Sequence, residues 1–119
     1  MCIRDRYKEA LTKARAENKL VFINFTGYAC TNCHWMKANM FTQPEVLAKM
    51  QEFVLVDLYT DGLDAISEEN VKLMEEKYKT IAVPYYVILD ADEKVLGTYP
   101  GRTTDKQEWL KFLQSGKSS

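Results

Sequence analysis

Two cysteines separated by two residues offer the most specific chemistry in this sequence. The segment Cys30-Thr31-Asn32-Cys33 follows a short apolar run that ends at Phe25, and residues with helical spacing come after it. A cysteine at a helix N-terminus is favoured as the thiolate, because unpaired backbone N–H groups and the positive end of the helix dipole lie there. The spacing therefore predicts Cys30 as the exposed nucleophile and Cys33, one turn further on, as the thiol that resolves a mixed disulfide.

Two other kinds of site use a Cys-x-x-Cys pair. A structural zinc site needs four ligands, and only Cys2 and His34 remain to complete one. Because His34 directly follows Cys33, the segment also matches the Cys-x-x-Cys-His pattern of c-type haem attachment, with His34 as an axial ligand. Such carriers are usually mostly helical, whereas this sequence predicts four strands. We expect no metal and no cofactor beyond a redox-active Cys30–Cys33 disulfide, with a haem-binding electron carrier as an alternative.

Length and composition indicate the class of protein. The 119 residues are 46% hydrophobic and 28% charged, which suits one globular domain. A net charge of -1 gives no reason to expect a nucleic-acid partner. No apolar stretch approaches the ~20 residues that span a bilayer, and residues 1–6 lack the apolar core of a signal peptide. We interpret residues 1–6 as a non-native or truncated leader, 7–115 as a single domain and 116–119 as a tail.

Alternating helical and apolar patterns predict the elements that hold the cysteine pair. The predicted order is a helix at 6–17, a strand at 20–25, a helix after the cysteines, a strand at 53–58, a helix from Ser67, strands at 85–89 and 95–99, and a helix from Thr104. Because the run at 20–25 is almost entirely apolar, its strand is expected to be buried on both faces. The pattern predicts an α/β fold. Its mixed sheet has about four strands, including a parallel pair and a terminal hairpin, with helices on both faces.

Three segments together resemble the thioredoxin superfamily, and in particular the C-terminal domains of DsbD-type thiol:disulfide interchange proteins. They are Val21 to Cys30, Thr42 to Val46 and Val83 to Val87. The resemblance covers nearly the whole chain and implies a thioredoxin-like fold. It also implies that the Val83–Pro84 bond is cis, and that a substrate backbone is positioned beside the cysteines by Val83, Pro84 and Tyr85.

Residues around the pair depart in part from what the resemblance implies. The candidate modulators of the pair are Asn24, Tyr28, Thr31, Asn32, His34 and Lys37. In the resembled proteins a buried Asp usually lies six residues before the first cysteine, and an acid can lie four residues after the second. This chain has Asn24 and Lys37 there. An amide does not titrate near neutral pH, so the acceptor of the Cys33 proton cannot be assigned from the sequence.

The resemblance implies a thiol–disulfide oxidoreductase, and specifically a protein-disulfide reductase that needs no cofactor. It implies disulfide-containing proteins as partners and a membrane-embedded domain as the electron donor. The expected location is the periplasm or the envelope-facing side of a membrane protein. We expect a monomer. Besides the haem carrier, a thioredoxin-like binding module without turnover is an alternative, although the presence of both cysteines argues against it.

Overall fold

A computed structural model describes residues 2–117 of the chain as alternating strands and helices. The strands are β1 (Cys2–Arg4), β2 (Val21–Thr26), β3 (Val54–Tyr59), β4 (Tyr85–Leu89) and β5 (Val95–Pro100). The helices are α1 (Tyr7–Glu17), α2 (Thr31–Trp35), α3 (Pro44–Met50), α4 (Ala65–Tyr78) and α5 (Lys106–Lys117), and a π-helical turn (Met36–Met40) continues α2. Among residues 2–117 no helix combines the length and apolarity needed to cross a membrane.

The strands form one mixed sheet in the order β1-β3-β2-β4-β5. The predicted parallel pair is β2 with β3, and the predicted hairpin is β4 with β5. The expectation of about four strands is wrong, because Cys2–Arg4 adds a fifth strand, parallel to β3 at the edge of the sheet. A three-residue strand is too short to show a periodic pattern, and of these residues only Ile3 is described as packing against the core. The assignment of residues 1–6 as a leader stays a prediction.

Strand β2 lies at the centre of the core. All six of its residues are buried, as expected for a strand covered by helices on both faces. On one face Ile23 and Phe25 pack with α1 and α4 residues. On the other face Phe22 packs with Met36, Met40 and the fully buried Trp109. The helix that carries the cysteine pair is thereby fixed to the second face.

One edge of the sheet collects the chain segments that matter for the cysteine pair. The register places the ends of β2, β3 and β5 and the start of β4 together, at Thr26, Tyr59, Pro100 and Tyr85. We call this the active-site edge. Only four residues separate the end of β2 from the start of α2, so the first turn of α2 lies at this edge. Parallel strands and an antiparallel partner therefore deliver four separate loops to one place.

Candidate active site

Cys30 and Cys33 lie at the start of α2 and are joined by a disulfide, with their Cα atoms 5.2 Å apart. Cys30 is the N-cap residue, and its sulfur accepts a hydrogen bond of 3.1 Å from the Cys33 backbone N–H. Cys30 is partly buried, whereas Cys33 is 2% exposed. Cys30 is therefore the more exposed of the two, and Thr31 and Asn32 lie exposed between them. The roles of Cys30 as nucleophile and Cys33 as resolving thiol stay predictions.

The loop before β4 lies at the same edge and contains the cis peptide bond expected between Val83 and Pro84. Pro84 is buried, and its carbonyl oxygen accepts a 2.8 Å hydrogen bond from the Gly101 N–H. Gly101 has a φ of +80°, a conformation that favours glycine. The end of β5 thus holds the Pro84 loop in place. The predicted role of Val83, Pro84 and Tyr85 in positioning a substrate stays a prediction.

An aspartate holds the turn that leads into Cys30. The Asp61 carboxylate accepts hydrogen bonds from the backbone N–H groups of Tyr28 at 2.8 Å and Ala29 at 2.9 Å. These bonds, Ala29 first and then Tyr28, hold the pKa of Asp61 below its usual value, and the nearby His34 acts in the same direction. A Cβ on Gly27 would lie 3.0 Å from an Asp61 carboxylate oxygen, so the closeness of the carboxylate favours glycine there.

His34 holds the same turn from the other side. Its Nε2 lies 2.6 Å from the Tyr28 carbonyl oxygen. Because a carbonyl oxygen only accepts hydrogen bonds, Nε2 carries the proton. The ring nitrogen that would ligate a haem iron is therefore occupied by the protein's own backbone. No group of three or more His, Cys, Asp or Glu side chains in residues 2–117 gathers as a metal site.

Aromatic and basic side chains form a stack beside this turn. Tyr28 and Tyr59 stack with their ring centroids 4.1 Å apart, and the Arg4 guanidinium lies 4.7 Å from the Tyr59 centroid. Arg4 also donates a hydrogen bond to the Tyr28 hydroxyl. Tyr28 is still 49% exposed, so part of the ring is available at the surface next to Cys30. The predicted modulator Tyr28 is thus fixed by β1 and β3.

Asn24 and Lys37, the two departures noted in the sequence, meet at a carboxylate on the neighbouring strand. Asn24 Nδ2 donates to Asp57 Oδ1 at 3.2 Å, and Lys37 Nζ donates to Asp57 Oδ2 at 2.7 Å. Burial lowers the pKa of Lys37, but the hydrogen bond and the charge of Asp57 outweigh burial and leave that pKa raised. The sheet therefore supplies a carboxylate close to both positions where the sequence lacks one.

Three functional candidates were missed by reasoning from the sequence, namely Asp57, Asp61 and Arg102. Asp61 binds the turn before Cys30 through two backbone N–H groups. The Arg102 guanidinium lies 4.7 Å from the ring centroid of Trp35, which ties the segment after β5 to α2. Both aspartates lie near the carboxyl end of β3, which is parallel to β2. Because the carboxyl ends of parallel strands lie at the same edge of a sheet, this position was the signal that could have identified them.

Comparison with known proteins identifies the family. The family model for the thioredoxin-like domain matches residues 7–117. The chain belongs to the thioredoxin-like domain family. This confirms the resemblance inferred from the sequence, and it agrees with the mixed α/β sheet. No protein with curated annotation matches the sequence.

Solved structures share the fold of this thioredoxin-like domain. A thioredoxin from Thermus thermophilus is 24% identical with a TM-score of 0.76, over 95% of this chain and 85% of that one. The reduced DsbD C-terminal domain of Neisseria meningitidis is 22% identical with a TM-score of 0.70, over 95% of this chain and 99% of that one. A disulphide isomerase from Xylella fastidiosa is 20% identical with a TM-score of 0.70, over 91% of this chain and 86% of that one. The family and the Cys30–Cys33 disulfide support a thiol–disulfide oxidoreductase.

Proposed function

We propose that this thioredoxin-like domain reduces disulfides in other proteins by cycling between a Cys30–Cys33 dithiol and disulfide. The observation that carries the proposal is the pairing of a partly exposed sulfur with a buried one at the start of α2. The Cys33 N–H points at the Cys30 sulfur at 3.1 Å. A backbone donor and the helix dipole at this position both stabilise a thiolate.

The reaction consists of two thiol–disulfide exchange steps, which together transfer two electrons to the partner. The Cys30 thiolate attacks one sulfur of the partner disulfide, so a mixed disulfide forms and the second partner sulfur leaves as a thiolate. The Cys33 thiolate then attacks the Cys30 sulfur and releases the first partner sulfur. The domain ends as the Cys30–Cys33 disulfide, and the partner holds two reduced cysteines.

Exposed apolar side chains near the pair support a protein partner. Tyr28 lies two residues before Cys30, and Ile81, which is 61% exposed, lies three residues before Pro84. Both belong to loops at the active-site edge. An apolar surface beside a reactive sulfur suits an unfolded or extended segment of another protein. We assign Val83, Pro84 and Tyr85 to positioning that segment.

The source of electrons and the compartment belong to the same proposal. The fold shared with a DsbD C-terminal domain is consistent with a monomeric domain that takes electrons from a membrane-embedded donor on the envelope-facing side. Disulfide-containing proteins are common in such compartments, where thiols oxidise. The direction of electron flow is then from the membrane donor through Cys30 and Cys33 to the partner.

Equilibration with glutathione tests whether the domain is a reductant. The fraction of disulfide is measured by alkylation and mass spectrometry across a series of glutathione ratios. A reductant should have a potential near that of thioredoxin, about -270 mV, and far from the oxidant DsbA, about -120 mV. A value close to the oxidant would overturn the proposed direction. Cys30→Ser should abolish exchange, whereas Cys33→Ser should retain a stable mixed disulfide.

A further inference from the structure

Three side chains form a polar cluster beneath the helix that carries Cys33. The sulfur exchange described above does not involve them. The polar cluster consists of Asn24, Lys37 and Asp57. Asn24 and Asp57 are register partners on adjacent parallel strands. One oxygen of the Asp57 carboxylate accepts from Asn24 at 3.2 Å and the other from Lys37 at 2.7 Å. A single carboxylate is therefore held in a fixed orientation from two sides.

The polar cluster lies on the sheet face that α2 and its π-helical turn cover. Cys33 and Lys37 are four residues apart in this helical segment, so their side chains project to similar sides. Met36, between them, packs in the same buried cluster as Phe22. Asn24 is two residues beyond Phe22 on the same face of its strand, towards the active-site edge. Cys33, one turn before Lys37, therefore lies near the start of the helical segment that covers the face with the polar cluster.

A cavity of about 240 Å³ opens beside the polar cluster. It is lined by Phe22, Asn24, Lys37, Phe41, Leu47, Met50, Leu55 and Asp57. Asn24 is 3% exposed, and its Oδ1 has no hydrogen-bond partner among the described residues. A buried amide oxygen without a partner costs about 1–3 kcal/mol. The cavity lining is mostly apolar, with Asn24, Lys37 and Asp57 as its polar members, and water beside these three side chains would relieve that cost. The cavity has room for several waters at about 30 Å³ each.

We propose that Asp57 accepts the proton that Cys33 must lose, through water that enters from this cavity, and that Asn24 and Lys37 position its carboxylate. This inference rests on the proposed function. The Cys33 S–H gives its proton to a water, which passes a proton to Asp57. The Cys33 thiolate then forms a bond to the Cys30 sulfur. The bond from Cys30 to the partner breaks, the electron pair leaves on the partner sulfur, and Asp57 returns its proton to solvent.

The surroundings of Asp57 suit a proton acceptor. The charged and titratable groups around it are Lys37 on the π-helical turn, Tyr59 on β3, Tyr86 on β4, Arg4 on β1 and Asp5 directly after β1. Burial first, and then the charge of Asp57, raise the pKa of Tyr86. That phenol therefore stays protonated and does not compete for the proton. The carboxylate expected at position 24 is thus supplied from one strand away.

Reaction with the chromogenic disulfide 5,5′-dithiobis(2-nitrobenzoate) separates the two chemical steps. In the reduced full chain with Cys2→Ser, the first coloured thiolate reports attack by Cys30, and the second reports resolution by Cys33. Stopped-flow absorbance measures both between pH 5 and 9. We expect Asp57→Asn to slow the second phase at least about tenfold near neutral pH, within the range for a lost general base. In Asp57→Asn the rate of the second phase should rise with pH, and the rate of the first phase should stay within about twofold of the wild-type rate.

A swap variant separates proton transfer from structural support. Asn24→Asp with Asp57→Asn exchanges the amide and the carboxylate between register partners and keeps the net charge. We expect it to restore the second phase to within about threefold of wild type. Asp92→Asn, in the distant β4–β5 turn, is the matched control and should change neither phase. Thermal unfolding verifies that each variant is folded.

Two results would overturn the inference. One is a second phase with wild-type rate and pH profile in Asp57→Asn. The other is a folded swap variant that stays as slow as Asp57→Asn, since the carboxylate would then act only as structural support. Failure of the proposed function looks different, because the glutathione equilibration would then give a potential close to that of the oxidant, whatever the rates of the two phases.

Discussion

Replacing Asp61 by asparagine should destabilise the turn before Cys30 in a pH-dependent way. The carboxylate accepts hydrogen bonds of 2.8 and 2.9 Å from two backbone N–H groups. A hydrogen bond to a charged group contributes about 1.5–3 kcal/mol to stability. Asp61 is exposed, so solvent screening reduces the total for the pair to about 1 kcal/mol. The asparagine oxygen can still accept, so the loss is mainly that of the charge.

The direction of the pH dependence follows from the lowered pKa of Asp61. A carboxyl whose pKa is lower in the folded chain stabilises the fold above its unfolded pKa, about 3.9. That stabilisation disappears as the pH falls through the lower, folded value. Wild type should therefore exceed Asp61→Asn in stability at pH 7, and the two should converge in acid.

Thermal unfolding of the oxidised protein from pH 2 to 7 measures this difference. A loss of about 1 kcal/mol corresponds to a Tm lower by roughly 4 °C for a domain of this size. Asp92→Asn removes an exposed carboxylate that pairs with Arg15, and should change Tm by much less. Equal Tm values for wild type and Asp61→Asn at pH 7, or a difference that persists at pH 2, would refute the reasoning.

Three further predictions concern reactivity and packing. In the reduced chain without Cys2, iodoacetamide should label Cys30 much faster than the second cysteine, and peptide mass spectrometry would expose equal labelling as a contradiction. Gly27→Ala should lower stability by about 1 kcal/mol, because its Cβ would lie 3.0 Å from an Asp61 oxygen; an unchanged urea midpoint would argue against that crowding. Trp109→Ala should cost about 3–5 kcal/mol, since the side chain is fully buried, and a urea titration that shows under 1 kcal/mol would contradict this core assignment.

Local patterns in the sequence were enough to predict the central strand and the place of the cysteine pair. The apolar run at 20–25 predicts β2 because burial on both faces leaves a continuous signature. The place of the Cys-x-x-Cys segment was predictable because the apolar run before it and the helical spacing after it are both local patterns. The structure has Cys30 as the N-cap residue of α2. The cis bond before Pro84 was expected from the family resemblance and is confirmed.

Features that depend on the pairing of distant strands were not predictable in the same way. Asp57 becomes a neighbour of Asn24 only through the register of β2 with β3. Asp61 reaches the turn before Cys30 only because both strands end at one edge. The last helix also begins later than the predicted start at Thr104, because the Asp105 side chain accepts a hydrogen bond from the first-turn N–H of Glu108. Such side chains compete for a cap within one or two positions.

The thioether-filled face beneath α2 has a consequence for oxidative damage. Met36 and Met40 are fully buried against that face, directly after the helix that presents Cys30. Methionine oxidation converts a flexible apolar side chain into a polar one, which disrupts a core. Peroxide can reach these sulfur atoms only when the helix opens away from the sheet. Sulfoxide at Met36 or Met40 would therefore report that this helical segment had opened away from the sheet.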